Sequence, residues 1–274
     1  MIEIKDLRFS YGSHSVLNNI SMKLEDGKIY GLLGENGVGK TTLLTLLAGL
    51  KKAGSGSIET DGENPYERKP SFLSNQYYLP DEVLAPNESA FRYARTYGPF
   101  WAAFDFQKFS SILEEFEVDG SAKMNNMSTG QLKKSHIAFA LSLGVKYLFL
   151  DEPTNGLDIP SKAQFRKALL KYTGDDSVVV ISTHQVRDLE SIIDPIIILD
   201  TNDVLLNRSV SEITEKLFFD YGNVIKPGAL YAEQLPGGFV QVFLNEEGEE
   251  SKINVEALFN AVHNNKELIK KLYE

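Results

Sequence analysis

The chain has 274 residues, a net charge of −10, 42% hydrophobic residues and no cysteine. These values exclude disulfides and cysteine-based zinc sites, and they give no general basic surface for nonspecific nucleic-acid binding. They supply the apolar material for one large domain, with or without a small appendage.

Residues 2–10 and 15–24 alternate apolar and polar side chains, as half-buried antiparallel strands do, with Tyr11-Gly12-Ser13-His14 as the turn between them. Ile29–Leu33 reads as a buried strand. It runs into Gly34-Glu35-Asn36-Gly37-Val38-Gly39-Lys40-Thr41, which fits the phosphate-loop pattern G-x-x-x-x-G-K-[ST]. Glycine lets such a loop turn its backbone N–H groups onto phosphate oxygens. Lys40 would reach the β- and γ-phosphates, and the Thr41 hydroxyl would bind Mg²⁺. Thr41–Gly49 reads as the helix leaving the loop, its N-terminus facing the anion. A glycine-rich turn and short strand follow at 54–62, and a further strand is expected within 71–79.

Residues 80–126 interleave aromatic and charged side chains, and Phe109–Phe116 has helical apolar spacing, so a helical insertion is expected here. Its aromatics either fill the core of that subdomain or line an outer groove for a partner helix. Three short apolar runs come next: Lys146–Leu150 ending at Asp151-Glu152, Ser177–Ile181 ending at Ser182-Thr183-His184, and Ile196–Leu199 ending at Asp200. Helix-like stretches at 161–171 and 185–193 separate them. This alternation predicts an α/β fold with a mostly parallel sheet covered on both faces, and ligands at the carboxyl ends of its strands. Beyond about residue 205 the pattern weakens, with one strand expected at 238–244 and one or two helices in 254–273.

Beside a phosphate loop, a strand-end Asp-Glu pair has a defined use. Asp151 would hold Mg²⁺, directly or through water, and Glu152 would serve as general base or hold the attacking water in line. Met127-Ser128-Thr129-Gly130-Gln131 precedes a helix, and serves either as a second anion cradle or as an ordinary N-cap. The four histidines, His14, His136, His184 and His263, show no metal-ligand spacing. No apolar run approaches the ~20 residues that cross a bilayer. Met1–Lys5 lacks the apolar segment of a signal peptide. The expected location is cytoplasmic, with any membrane role supplied by another polypeptide.

The ordered set Tyr11, Gly34–Thr42, Gln76, Met127–Gln131, Leu148–Pro153, Thr154–Asp158 and His184 resembles the nucleotide-binding subunit of an ATP-binding-cassette transporter. The resemblance covers about residues 1–205. It implies a P-loop NTPase fold with an N-terminal antiparallel β subdomain, a helical subdomain at about 80–140, and a small α+β extension over 206–274, a dimer contact or a regulatory element. It also implies roles. Tyr11 stacks on adenine with Val16 beside it. Gly34, Asn36, Gly37, Gly39, Lys40, Thr41 and Thr42 hold the phosphates and Mg²⁺. Gln76 reaches the metal and the attacking water, and senses the membrane partner. Asn155–Asp158 cross between subunits, and His184 contacts the γ-phosphate.

The signature departs from the family's commonest form, Leu-Ser-Gly-Gly-Gln, at Met127 and Thr129. A β-branched residue does not readily take positive φ, so an ordinary backbone is expected at 129. The family geometry stacks two cassettes head to tail, so that Ser128, Thr129, Gly130 and Gln131 of one, with Asp158, close over ATP bound to Lys40 of the other. The chain carries one phosphate loop and one signature, so a homodimer or a pair with a similar cassette is expected. A separate integral-membrane permease is expected too, docked at the insertion and the Gln76 region on the inner face of the membrane. The helical insertion and C-terminal extension point by analogy to an export system. A cassette acting on ribosomes or nucleic acid, or a soluble assembly ATPase, is the alternative. One cassette, no coiled coil and net negative charge stand against it.

Overall fold

The computed structural model describes residues 1–273. The two alternating segments form β1 (Ile2–Tyr11) and β2 (His14–Leu24), paired antiparallel. β3 (Lys28–Leu33), α1 (Lys40–Leu47) and β4 (Ser55–Thr60) follow, and β4 pairs with the other edge of β1. Of the stretch 71–79, only β5 (Gln76–Leu79) is extended. Pro70 instead opens a helical turn, α2 (Pro70–Leu73), at a position where its missing N–H costs nothing.

The insertion contains α3 (Ala90–Tyr97) and α4 (Phe106–Glu115), packed with α5 (Thr129–Ser142). The rings of Tyr77, Tyr93, Trp101, Phe104 and Phe109 lie 5.8, 5.1, 6.0, 6.0 and 6.4 Å from Phe139 of α5. Such pairs add about 0.5–1.5 kcal/mol each beyond their burial. Most of the aromatics are therefore core, while Phe100 remains 74% exposed.

β6 (Tyr147–Asp151), α6 (Ile159–Tyr172), β7 (Val178–Thr183), β8 (Ile196–Asp200) and β9 (Asp203–Arg208) complete a six-stranded sheet of order β5-β6-β7-β3-β8-β9. All its pairs are parallel except β8–β9. β6, β7 and β8 are apolar along most of their length because alternate side chains enter two different buried layers. Phe149, Val180 and Leu199 join the layer with α1 and β1–β2, whereas Leu150, Ile181 and Ile198 join the layer with α5 and α6. The expected helix over 185–193 is absent. Only Val186–Asp188 form a 3₁₀ turn. The chain is instead drawn onto β3, where the Asp194 N–H donates to Ile29 O at 2.8 Å.

β9 carries the central sheet across residue 205 to Arg208. α7 (Val210–Lys216), β10 (Leu217–Gly222), β11 (Tyr231–Leu235) and β12 (Gly238–Leu244) follow, with a small antiparallel sheet of order β10-β12-β11. α8 (Val255–Asn264) packs on this sheet and on the 186–188 turn, and α9 (Lys266–Tyr273) packs on β9. Val255, Leu258, Val262 and Ile269 join the α5–α6 core layer. Among the described residues, no helix is long and apolar enough to cross a membrane.

Candidate active site

β3 delivers the glycine-rich loop to the carboxyl end of the sheet, and α1 leaves it. Gly37 and Gly39 have φ of +86° and +112°, a region that L side chains rarely adopt. A Cβ on Gly39 would also lie 2.8 Å from Val16, which packs directly on the loop. Among the described residues, no side chain caps the N-terminus of α1. Its first-turn N–H groups have no partner one turn back and face outward as anion donors. Lys40 is 6% exposed, and its Nζ donates to Gly34 O at 2.7 Å and Glu35 O at 3.0 Å. Burial draws its pKa below the ordinary lysine value, against the opposing pull of Glu152 and Asp151. Asn36 and Gly37 are exposed at the loop crest. Tyr11 ends β1 beside α1, half exposed, with its hydroxyl 3.3 Å from Thr42 Oγ1.

Asp151 ends β6 and is 3% exposed. Three hydroxyls donate to its carboxylate: Thr41 to Oδ2 at 2.7 Å, Tyr78 to Oδ2 at 3.1 Å and Ser182 to Oδ1 at 2.5 Å. Burial, followed by the Asp151 charge, raises the Tyr78 pKa, so that hydroxyl stays a donor. Among the described residues, no cationic side chain forms an ion pair with Asp151. A buried carboxylate beside a threonine hydroxyl, uncompensated by a protein cation, fits Mg²⁺, which takes one or two protein oxygens and completes its shell with phosphate and water. No three-ligand His/Cys/Asp/Glu cluster exists among the described residues.

Glu152 has φ +45°, an uncommon conformation for a non-glycine residue. Its N–H donates to Ser182 Oγ at 3.0 Å. Its Oε1 lies 2.9 Å from His184 Nδ1, and its Oε2 accepts the His184 N–H at 3.4 Å. Adjacent parallel strands produce this meeting. Asp151 pairs with Ser182 across β6–β7, so the residues that follow each strand emerge side by side.

Gln76 does not join them. It starts β5, where it pairs with Tyr147 at the amino end of β6, four residues before Asp151. At about 3.3 Å per residue, that is about 13 Å along the strand. Its expected contacts with metal and attacking water are therefore incompatible with the register. Its backbone carbonyl instead accepts the Trp101 indole N–H at 3.0 Å. The residues that leave β5 at the carboxyl end are Pro80 and Asp81. The Asp81 carboxylate accepts from Lys133 Nζ at 3.1 Å and from Asn155 Nδ2 at 3.3 Å. No sequence motif marks Tyr78, Asp81 or Lys133, and Ser182 enters only as part of the Ser-Thr-His strand end. Strand register brings Tyr78, Asp81 and Ser182 to the site and α5 brings Lys133, and motif spacing supplies neither.

The Met127–Gln131 segment opens α5 rather than preceding it. Ser128 is its N-cap in a reciprocal capping box with Gln131, and Thr129 is its first helical residue with ordinary backbone. Ser128, Thr129 and Gln131 are exposed. Among the described residues, no hydrogen bond joins residues 128–131 to residues 34–42. Gly130 approaches Gly156 of the following loop. Asp158 caps α6 by accepting the Ser161 N–H at 2.9 Å, and hydrogen bonding from Ser161 lowers its pKa.

The C-terminal segment reaches the histidine turn. Arg187 pairs with Glu256 of α8. A cavity of about 560 Å³ lies between Gly34–Glu35, His184–Asp188 and the α8 residues Glu256, Phe259 and Asn260.

A family model described as "ABC transporter" matches residues 17–155. The chain is 29% identical over 225 residues to the lantibiotic transport ATP-binding protein SrtF of Streptococcus pyogenes, covering 80% of this chain and 96% of that one. It is 27% identical over 221 residues to the Nod factor export ATP-binding protein I of Cupriavidus metallidurans, covering 78% and 73%. Among solved structures, the dimeric bacterial ABC transporter cassette MJ0796 superposes with a TM-score of 0.66 at 21% identity, covering 77% of this chain and 99% of that one.

Proposed function

The chain belongs to the ABC transporter family as an ATP-hydrolysing cassette, and from that premise we propose that it powers a separate membrane permease through ATP-driven head-to-tail dimerisation. The observation that carries the reading is the convergence of Lys40, Thr41, Asp151, Glu152 and His184 at one end of one sheet.

In this reading, the loop N–H groups and Lys40 bind the phosphates, and Tyr11 receives the base. Thr41 and Asp151 hold Mg²⁺, which would neutralise phosphate charge when bound. Glu152 accepts a proton from water at its carboxylate, and His184 donates to the terminal phosphate. The exposed Ser128–Gln131 face and Asp158 complete the site of a second copy or a similar cassette. ATP then drives closure because the closed pair binds it more tightly than the open one. Export is supported by what the Cupriavidus relative is named for and by the helical insertion. A cytoplasmic position on the inner membrane face follows from the permease contact.

The test is steady-state hydrolysis. Lys40→Ala should abolish Mg²⁺-dependent phosphate release, and purification in mild detergent should recover a multispanning membrane protein with the chain. Undiminished hydrolysis in Lys40→Ala, or recovery with ribosomes or nucleic acid alone, overturns the proposal.

A further inference from the structure

Lys133 is the most deeply buried ammonium on α5, with its side chain only 4% exposed, and the hydrolytic reading gives it no task. Its Nζ donates to the Asp81 backbone carbonyl and to Asp81 Oδ1 at 3.1 Å. One turn along the same helix, His136 is 4% exposed and donates from Nε2 to Leu84 O at 2.8 Å. A carbonyl can only accept, so Nε2 carries the proton of this bond, and burial lowers the His136 pKa. Two buried side chains of α5 thus grip the loop after β5 at residues 81 and 84.

That loop grips the next one. Asn155 Nδ2 donates to both Asp81 oxygens, each at 3.3 Å. Asn155 also closes a turn on the general base, its N–H donating to Glu152 O at 3.1 Å. The path Lys133–Asp81–Asn155–Glu152 is continuous and has one carboxylate at its centre. A lysine this deeply buried is costly unless paired, and Asp81 is its partner.

We infer that Asp81 is a positioning residue for hydrolysis, locking the Glu152–Asn155 turn to α5, the helix that carries Ser128–Gln131 at its start. Asp81 does not touch the reacting atoms. It sets where the Glu152 backbone sits, and displacements near 1 Å at a base cost up to about a hundredfold in rate. The inference rests on the hydrolytic reading of the same site and assigns it a further residue.

The experiment is Mg²⁺-ATP hydrolysis by the full chain, run on wild type, Lys40→Ala, Asp81→Ala, Asn155→Ala and the Asp81→Ala/Asn155→Ala pair. Asp81→Ala should lower kcat about tenfold or more with the KM for ATP within about twofold, because no phosphate-binding group moves. Asn155 is exposed, so Asn155→Ala should fold, and it should reproduce the kcat loss. The double variant should be no slower than the slower single one, as expected for residues acting through one contact. Wild-type kcat in Asn155→Ala overturns the inference even if Asp81→Ala fails to fold. Losses that multiply in the double variant, or a raised KM at constant kcat, overturn it as well. Each of those results leaves the hydrolytic reading standing if Lys40→Ala is dead. Full activity in Lys40→Ala overturns both.

Discussion

Glu152 and His184 form a direct pair, with Oε1 2.9 Å from Nδ1 and the His184 N–H turned toward Oε2. The carboxylate that would take a proton from water is aimed by the residue that would contact the terminal phosphate. Glu152→Gln keeps the shape and an acceptor oxygen but removes the basic charge. Loss of a general base costs about 10²–10⁴ in rate. The expected outcome is ATP binding without turnover, so that a dimer accumulates. Light scattering with ATP should read twice the 30.6 kDa chain mass for the variant. A variant that stays monomeric with ATP bound removes the closure mechanism.

The hydroxyl cage of Asp151 gives a second prediction. Ser182→Ala deletes a bond of 2.5 Å to a carboxylate that is 3% exposed, and it deletes the side-chain acceptor of the Glu152 N–H. Bonds to buried charges are worth about 1.5–3 kcal/mol each. Chemical denaturation should show a loss of that size, and Tyr78→Phe, at 3.1 Å, should lose less. If both substitutions are neutral, the cage does not stabilise the buried charge.

Gln76 gives a third. Its register places it at the amino end of the sheet, remote from Asp151. Gln76→Ala should therefore leave kcat and the KM for ATP within about twofold, the reverse of what its apparent motif implies. Its side chain is 9% exposed, so a modest drop in thermal stability is expected instead. A tenfold kcat loss in a fully folded Gln76→Ala protein contradicts the placement.

The contrast between Gln76 and Asp81 marks how far the sequence is legible. The phosphate loop and the Asp151-Glu152 pair were readable because their chemistry lies in contiguous residues flanked by a buried strand. The continuous apolar runs revealed the parallel sheet because both faces are buried. The position of Gln76 is not legible because β5 is only four residues long and its register depends on β6, a long-range pairing that a local pattern does not encode. The helix expected over 185–193 failed for a similar reason. Leu189 and Ile193 are both buried at helical spacing, but the chain that follows them is pinned to β3 by the bond from the Asp194 N–H to Ile29 O. The Asp81–Asn155 contact spans 74 positions and joins two loops, so no spacing rule announces it.

The C-terminal helices provide a pH test. Asp200, at the end of β8, is 17% exposed and pairs with Lys266 of α9, while Asp203 pairs with Lys270. Burial alone would raise the Asp200 pKa. The Lys266 ammonium, the Thr201 N–H and the charge of His263 outweigh it, and the folded-state pKa falls below the ordinary aspartate value. The unfolded chain therefore takes up this proton at a higher pH than the folded one. The stabilisation is complete above the unfolded value and is lost as pH falls through the lowered folded value. Asp200→Asn should melt about 2–4 °C below wild type at pH 7, the shift expected for about 1 kcal/mol in a domain of this size. The gap should persist down to about pH 5 and close only below about pH 4. Thermal denaturation of both proteins across that range checks it. A gap that closes between pH 5 and 7 would assign the pH dependence to a histidine rather than to this carboxylate.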